Sequence, residues 1–309
     1  MKKKIKSLKR IIMKTKRFLT AFILSTAMLF AFTSCDKDET NETVTLSQAE
    51  EASFVDDIFE EVTTDVDNVL IGEGGALLKD GTIDSTCPII TIEYPDTTAR
   101  FPRIITIDFG DEGCTMSRMN EEIVKKGKII VEVTDSFMNQ GATRTVTFVD
   151  FYVNDNLIEG TRLMANNGPN ADGYYEFTMQ LQNGKVTTPE GVEIEREYTR
   201  TRTWISGDDT PRYHWDDEFL IEGNESGLTS DGFAFTGTIT EPLFKARNCP
   251  WFKSGVIATT VGEDEIVIDY GEGECDNLAT RAINGGEPEE FTMEYRYMRR
   301  TGIRGGGNR

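Results

Sequence analysis

The sequence predicts a mainly β chain, an antiparallel meander built as an extended curved sheet or a sandwich, with one N-terminal amphipathic helix. Three observations predict it. Apolar residues alternate with polar ones through many short segments between about Thr82 and Met298. Turn signals such as Pro189-Glu190-Gly191 and Asn284-Gly285-Gly286 separate most of these segments, as Asn183-Gly184 is also expected to do. Few intervening stretches are long enough for crossover helices, which disfavours parallel βαβ units.

The chain opens with nine basic residues and no acid before Phe18. Fifteen mostly apolar residues follow, Phe18 to Phe32, and then Thr33, Ser34 and Cys35. A membrane-spanning helix needs about 20 apolar residues, so the stretch is too short for one. A basic region, a short apolar core and small residues before a cleavage point form a signal peptide, residues 1–34. Met13 is an alternative start to Met1 and gives a more ordinary signal length. Taking the nine leader basics from the 33 in the chain leaves 24 against 53 acids, a net charge of −29 in place of −20. A body this acidic argues against nucleic-acid binding. The chain has one histidine, His214, which excludes multi-histidine metal centres and argues against histidine-based catalysis. No phosphate-binding loop, GxSxG, HExxH or dinucleotide fingerprint is present.

Phe32-Thr33-Ser34-Cys35 resembles the lipobox of bacterial lipoproteins, with Phe32 where that pattern prefers an aliphatic residue. The resemblance implies cleavage before Cys35 and acylation of its thiol and freed amine, with outer-membrane lipid as the partner of the acyl chains. Each buried methylene contributes about 0.8 kcal/mol, so several chains anchor a protein durably. Asp36-Lys37-Asp38-Glu39 resembles the lipoprotein export signal of Bacteroidota, in which Lys37, Asp38 and Glu39 would direct the protein to the outer face of the outer membrane. Residues 35–46 read as the lipidated cysteine and a polar, flexible tether.

From Ser47 to about Asn68, the residues Ala52, Val55, Ile58, Phe59, Val62 and Val66 recur at spacings of three and four, the period of a helix with one apolar stripe. Ser47 and Glu50 form a capping box at its start. Gly72, Gly74 and Gly75 break it. Strands are expected at 89–94, 104–109, 128–135, 144–154, 157–164, 174–181, 192–205, 233–240, 254–260, 265–270 and 291–298. No composition break divides 47–298, which reads as one helix-plus-β domain, and the Arg- and Gly-rich tail 299–309 reads as disordered.

Two internal repeats run through the domain. The cassette Cys87-Pro88 … Ile107-Asp108-Phe109-Gly110 … Cys114 recurs as Cys249-Pro250 … Ile268-Asp269-Tyr270-Gly271 … Cys275. An even cysteine count in an exported chain argues for disulfides. The repeat selects Cys87–Cys114 and Cys249–Cys275 among the three possible pairings, and the absence of CxxC spacing argues against a soft metal site. Leu157-Ile158-Glu159-Gly160 likewise recurs as Leu220-Ile221-Glu222-Gly223, each followed by an Asp-Gly turn and an aromatic-rich strand, the pattern of a hairpin. The order of these phrases, with Gly127 to Val131, Glu159 to Arg162, Thr199 to Trp204 and Cys249-Pro250-Trp251, resembles a family of uncharacterised Bacteroidota surface-exposed lipoproteins. The resemblance covers most of residues 85–285 and implies no activity, so no functional residue is carried over.

Three places could hold chemistry. In 192–205, Arg196, Tyr198, Arg200, Arg202 and Trp204 share one strand face, a candidate platform for a sugar or an anion or, alternatively, a ladder paired with acidic neighbours. Tyr213 to Phe219 gathers His214, Trp215 and the acids Asp216, Asp217 and Glu218, a candidate carbohydrate site or glycosidase acid pair. Asp111, Glu112 and Glu272 lie in turns where carboxylates could take Ca²⁺, although no EF-hand spacing is present. Asp96-Thr97-Thr98 resembles an O-glycosylation acceptor of Bacteroidota. The expectation is a lipid-anchored, non-enzymatic outer-membrane or cell-surface protein that binds a glycan or an envelope component. A carboxylate-dependent polysaccharide hydrolase and a purely structural or adhesive surface protein are the alternatives.

Overall fold

The computed structural model describes residues 51, 55, 58–63, 65–67, 69–70, 82–83, 87–118, 121–210 and 215–293. The signal peptide, Cys35, Lys37, Asp38, Glu39, the tether, the capping box at Ser47 and Glu50, the glycines 72–75, Tyr213, His214 and the tail 299–309 lie outside them. The contacts divide the chain into 1–44 and Thr45–Arg309, and all that follows concerns the second unit.

The domain is mainly β, with one N-terminal helix. That helix, α1, is helical at 51, 55, 58–63, 65–67 and 69–70. The strands begin with β1 (Thr82–Ile83), β2 (Ile89–Glu93), β3 (Arg103–Asp108), β4 (Cys114–Arg118) and β5 (Glu121–Val133). They continue with β6 (Thr143–Val153), β7 (Asn156–Pro169), β8 (Tyr175–Thr187), β9 (Glu193–Ser206) and β10 (Glu218–Leu228). Last come β11 (Ala234–Ala246), β12 (Ser254–Val261), β13 (Asp264–Glu272), β14 (Leu278–Ile283) and β15 (Glu289–Thr292). All lie in one antiparallel sheet in chain order, except that β3 and β4 both pair with β5, end to end, like one interrupted strand. The disulfide Cys87–Cys114 closes that interruption. Cys249–Cys275 ties the β11–β12 connection to the β13–β14 connection.

One face of the sheet meets α1. Arg144 of β6 and Arg247, one residue past β11, both bind the carboxylate of Asp67 on α1, at 2.7 and 2.8 Å. In a flat sheet those strands would stand about 24 Å apart at roughly 4.8 Å per strand, too far for two side chains to meet on one carboxylate. The sheet therefore bends around the helix without closing into a barrel. The bend has a local cause. Each of the eight ladders from β5–β6 to β12–β13 carries a register shift. The outer ladders run in unbroken register. Bulges kink a strand and increase its twist, so curvature is concentrated where the helix lies.

The Glu-Gly repeat marks two of these bulges. Gly160 (φ +124°) and Gly223 (φ +141°) occupy conformations that side chains rarely adopt. A Cβ at Gly223 would stand 2.3 Å from the Thr199 carbonyl oxygen. Asn183-Gly184, expected as a turn, is instead a bulge inside β8, and the turn is made by residues 188–192. Strands β4 and β14 and much of β10 fall outside the expected segments. The first two are short, and Gly223, Asn224 and Gly227 interrupt the alternation of β10.

The core lies between α1 and the sheet. Val55, Ile58, Phe59, Val62, Val66 and Val69 are buried with Ile105, Ile107, Phe109, Ile129 and Val131 of the sheet. Burial of such a side chain contributes about 1.5–3 kcal/mol relative to exposure. The same helix also buries Glu51, Glu61 and Thr63. Glu61 and Asp65 both take Lys125 of β5, which has no exposed side-chain surface. At the start of α1, the Glu51 carboxylate accepts the Ser230 backbone N–H at 2.8 Å, in the β10–β11 turn.

Candidate functional site

Strand direction sorts the connections into two ends. The β6–β7, β8–β9, β10–β11 and β12–β13 turns share one end, here the base, where Glu51 of α1 bonds Ser230. The connections 94–102, 134–142, 170–174, 207–217, 247–253 and 273–277 share the other, here the rim. Three successive rim loops each present an aromatic side chain to solvent: Phe137 (42% exposed), Tyr174 (43%) and Trp215 (64%). Their loops join β5 to β6, β7 to β8 and β9 to β10, so successive loops leave the sheet about two strand spacings, about 10 Å, apart.

Below the rim lies an interior lined with arginine. Arg103, Arg144, Arg162, Arg196 and Arg200 are all buried, each on the core-facing phase of its strand. Arg196 and Arg200 converge on Glu225 of β10, at 2.5 and 2.7 Å. Burial alone would raise the Glu225 pKa, but the two guanidiniums outweigh it and hold the carboxyl below its ordinary range. Asp67 behaves alike: burial opposes ionisation, and Arg144, Arg247 and Arg202 overcome it, leaving the carboxyl far below the usual value. Arg162 donates from Nε to the Tyr198 hydroxyl at 3.0 Å. Arg202 lies 3.4 Å over the Phe219 ring, and burial, with Arg247 beside it, draws its pKa down to about 10.

The face Arg196, Tyr198, Arg200, Arg202 and Trp204 is thus directed inward. Its arginines are engaged by Glu225, Tyr198 and Phe219 as an internal ladder, and Tyr198 and Trp204 are buried. Trp204 belongs to an aromatic column, with Phe219 at 5.9 Å on one side and Phe177 at 6.5 Å on the other. Phe137 caps the column, stacked 4.7 Å from Phe177 at an interplanar angle of 5°. The column therefore carries a rim aromatic on rigid support.

A cavity of about 270 Å³ opens beside Phe137. Among the described residues it is lined by Arg100, Phe101, Arg103, Phe137, Arg144 and Phe177, with Asp135 as the one acid. Arg103 is fixed over the Phe101 ring at 5.0 Å. These residues were not among the sequence candidates. The signal was Arg103 and Arg144 in the apolar phase of their strands, two places before Ile105 and Val146.

The other candidates are separate. Trp215 is at the rim, Asp216 accepts the Thr210 hydroxyl at 3.0–3.1 Å, and Asp217 is buried beneath Arg247. The two acids precede β10 in a turn and face different surroundings. Asp111 and Glu112 are exposed after β3, and Glu272, expected in a turn, is instead exposed as the last residue of β13. The repeated Asp in each cassette has a structural task, since Asp108 and Asp269 accept the N–H of Gly110 and Gly271, both at 2.9 Å. Among the described residues, no three His, Cys, Asp or Glu side chains gather as a metal site. Thr97 is exposed in the rim loop 94–102, where Asp96 holds the Thr98 N–H at 2.8 Å. No protein-family model, curated protein or solved structure matches the chain.

Proposed function

We propose that this is a lipid-anchored protein of the outer membrane, facing the cell exterior, whose rim binds a glycan or another envelope component without catalysing its turnover. The observation that carries the reading is polarity within the domain. Glu51, the first described residue, bonds Ser230 at the base, and the exposed Phe137, Tyr174 and Trp215 lie at the opposite end. Cys35 precedes Glu51 by 16 residues, so a lipid on Cys35 would tether the domain through the Glu51 end of α1. The two disulfides suit an oxidising compartment. Exposed aromatics on rigid supports suit sugar faces or apolar protein side chains. The apolar stripe of α1 would serve to hold the sheet in its curve beneath the rim.

Metabolic labelling with an alkyne fatty acid tests the address. Label should enter the wild-type chain and be absent from Cys35→Ser. Protease added to intact cells should remove the domain, and Lys37→Ala/Asp38→Ala/Glu39→Ala should protect it. A domain protected until the outer membrane is broken would sink the surface reading.

A further inference from the structure

The cavity beside Phe137 runs against the acidic balance of the chain. The chain beyond residue 34 carries 53 acids, yet among the described residues three guanidiniums and one carboxylate line this opening. Arg103 and Arg144 are among the buried residues, and Phe101 and Phe177 supply apolar walls. Asp67 holds Arg144 from behind at 2.7 Å, and the Arg144 Nη2 lies 3.4 Å from the Met164 sulfur, so this guanidinium is fixed in place. Asp135 is turned to its own loop, accepting the Ser136 N–H at 2.7 Å. A buried, pre-oriented guanidinium fork matches a carboxylate, and an aromatic wall matches a ring face. The volume is near the lower limit of ligand pockets, which restricts the occupant to about one ring.

We propose that this cavity binds a small carboxylate carried on a single ring, with the carboxylate on Arg103 and Arg144 and the ring against Phe101 and Phe137. A uronic-acid sugar and an aromatic acid share that chemistry. The inference deepens the reading of the rim as a binding end, because a uronate unit of a longer glycan could enter the cavity while its neighbours lie across Tyr174 and Trp215.

Titration calorimetry on the full chain tests it, with galacturonate, its neutral methyl ester and benzoate as probes. At least one acid should bind, and loss of the charge in the ester should weaken the sugar at least tenfold if galacturonate is the acid that binds. Arg103→Met should abolish acid binding. Phe137→Ala, whose folding is checked by its thermal midpoint, should weaken binding at least fivefold, which keeps the test decisive should Arg103→Met fail to fold. Galacturonate without benzoate identifies a sugar acid, and benzoate without galacturonate an aromatic acid. Equal binding of acid and ester, unchanged binding by Phe137→Ala, or no binding of either acid overturns the proposal. Acid binding without any polysaccharide binding would uphold the cavity and sink the rim reading. Neutral polysaccharide binding without acid binding would do the reverse.

Discussion

At the residue scale the molecule is organised by arginines placed where a strand's apolar phase calls for a hydrophobic side chain. Each needs a partner, and Glu225 and Asp67 supply most of them. Removing one member of a buried ionic group leaves uncompensated charge, at a cost of about 3–5 kcal/mol. Glu225→Gln should therefore lower urea stability by that amount. Replacing Glu225, Arg196 and Arg200 together by Leu, Met and Leu should restore most of it. Both carboxyls have pKa values depressed by folding, so their contribution is present above the ordinary carboxylate range and is lost as pH falls through and below it. The thermal midpoint should fall between about pH 5 and pH 2, and Asp67→Asn should flatten that fall. If the variant's midpoint tracks wild type in parallel, Asp67 is not the group responsible. The alternation of 192–205 was legible, as was the shared face of its arginines. Whether that face looked in or out was not, because periodicity assigns residues to a face without saying which face is covered. Glu225, three residues from the end of β10, gave no local sign of its role.

At the element scale, the repeats record where the chain bends and where it is fastened. The Glu-Gly repeat places Gly160 and Gly223 at bulges, and the Asp-x-Gly repeat places a turn after β3 and a register shift near the end of β13. Gly223→Ala combines left-handed backbone with a collision against the Thr199 carbonyl, and should cost at least about 1–3 kcal/mol. Gly232→Ala, at φ +77° with no atom within 4 Å, should cost less. Equal losses in an unfolding series would show that the close approach at Gly223 is not felt. Each disulfide closes a separation of 26 or 27 residues, worth about 3–4 kcal/mol in the chain-entropy picture. Cys249→Ser/Cys275→Ser should show a loss of that order. The cysteine pairing was readable because two copies of a cassette removed the ambiguity that four cysteines otherwise leave. Asn183-Gly184 misled because the backbone preference that suits a tight turn also suits a bulge.

At the scale of the whole domain, the antiparallel meander and its helix followed from the sequence, while the choice of one curved sheet over a sandwich did not. Curvature arises from eight register shifts acting together, and each shift depends on two strands distant in sequence. The rim was invisible for a similar reason. Phe137, Tyr174 and Trp215 lie in three separate loops, and only the up-and-down order of the strands brings those loops to one end. The cavity needs that same assembly, joining the loop 94–102 to the loop 134–142 and to β7 and β8.

The most direct test of the account is binding of the intact protein to a panel of immobilised polysaccharides, with Phe137→Ala/Tyr174→Ala/Trp215→Ala beside a base control, Phe233→Ala. Phe233 is also exposed but sits in the β10–β11 turn at the other end. The account predicts retention on at least one polysaccharide, a loss of at least tenfold in the rim variant and none in the base variant. Retention that survives the rim substitutions, or that is lost with Phe233 instead, would contradict it.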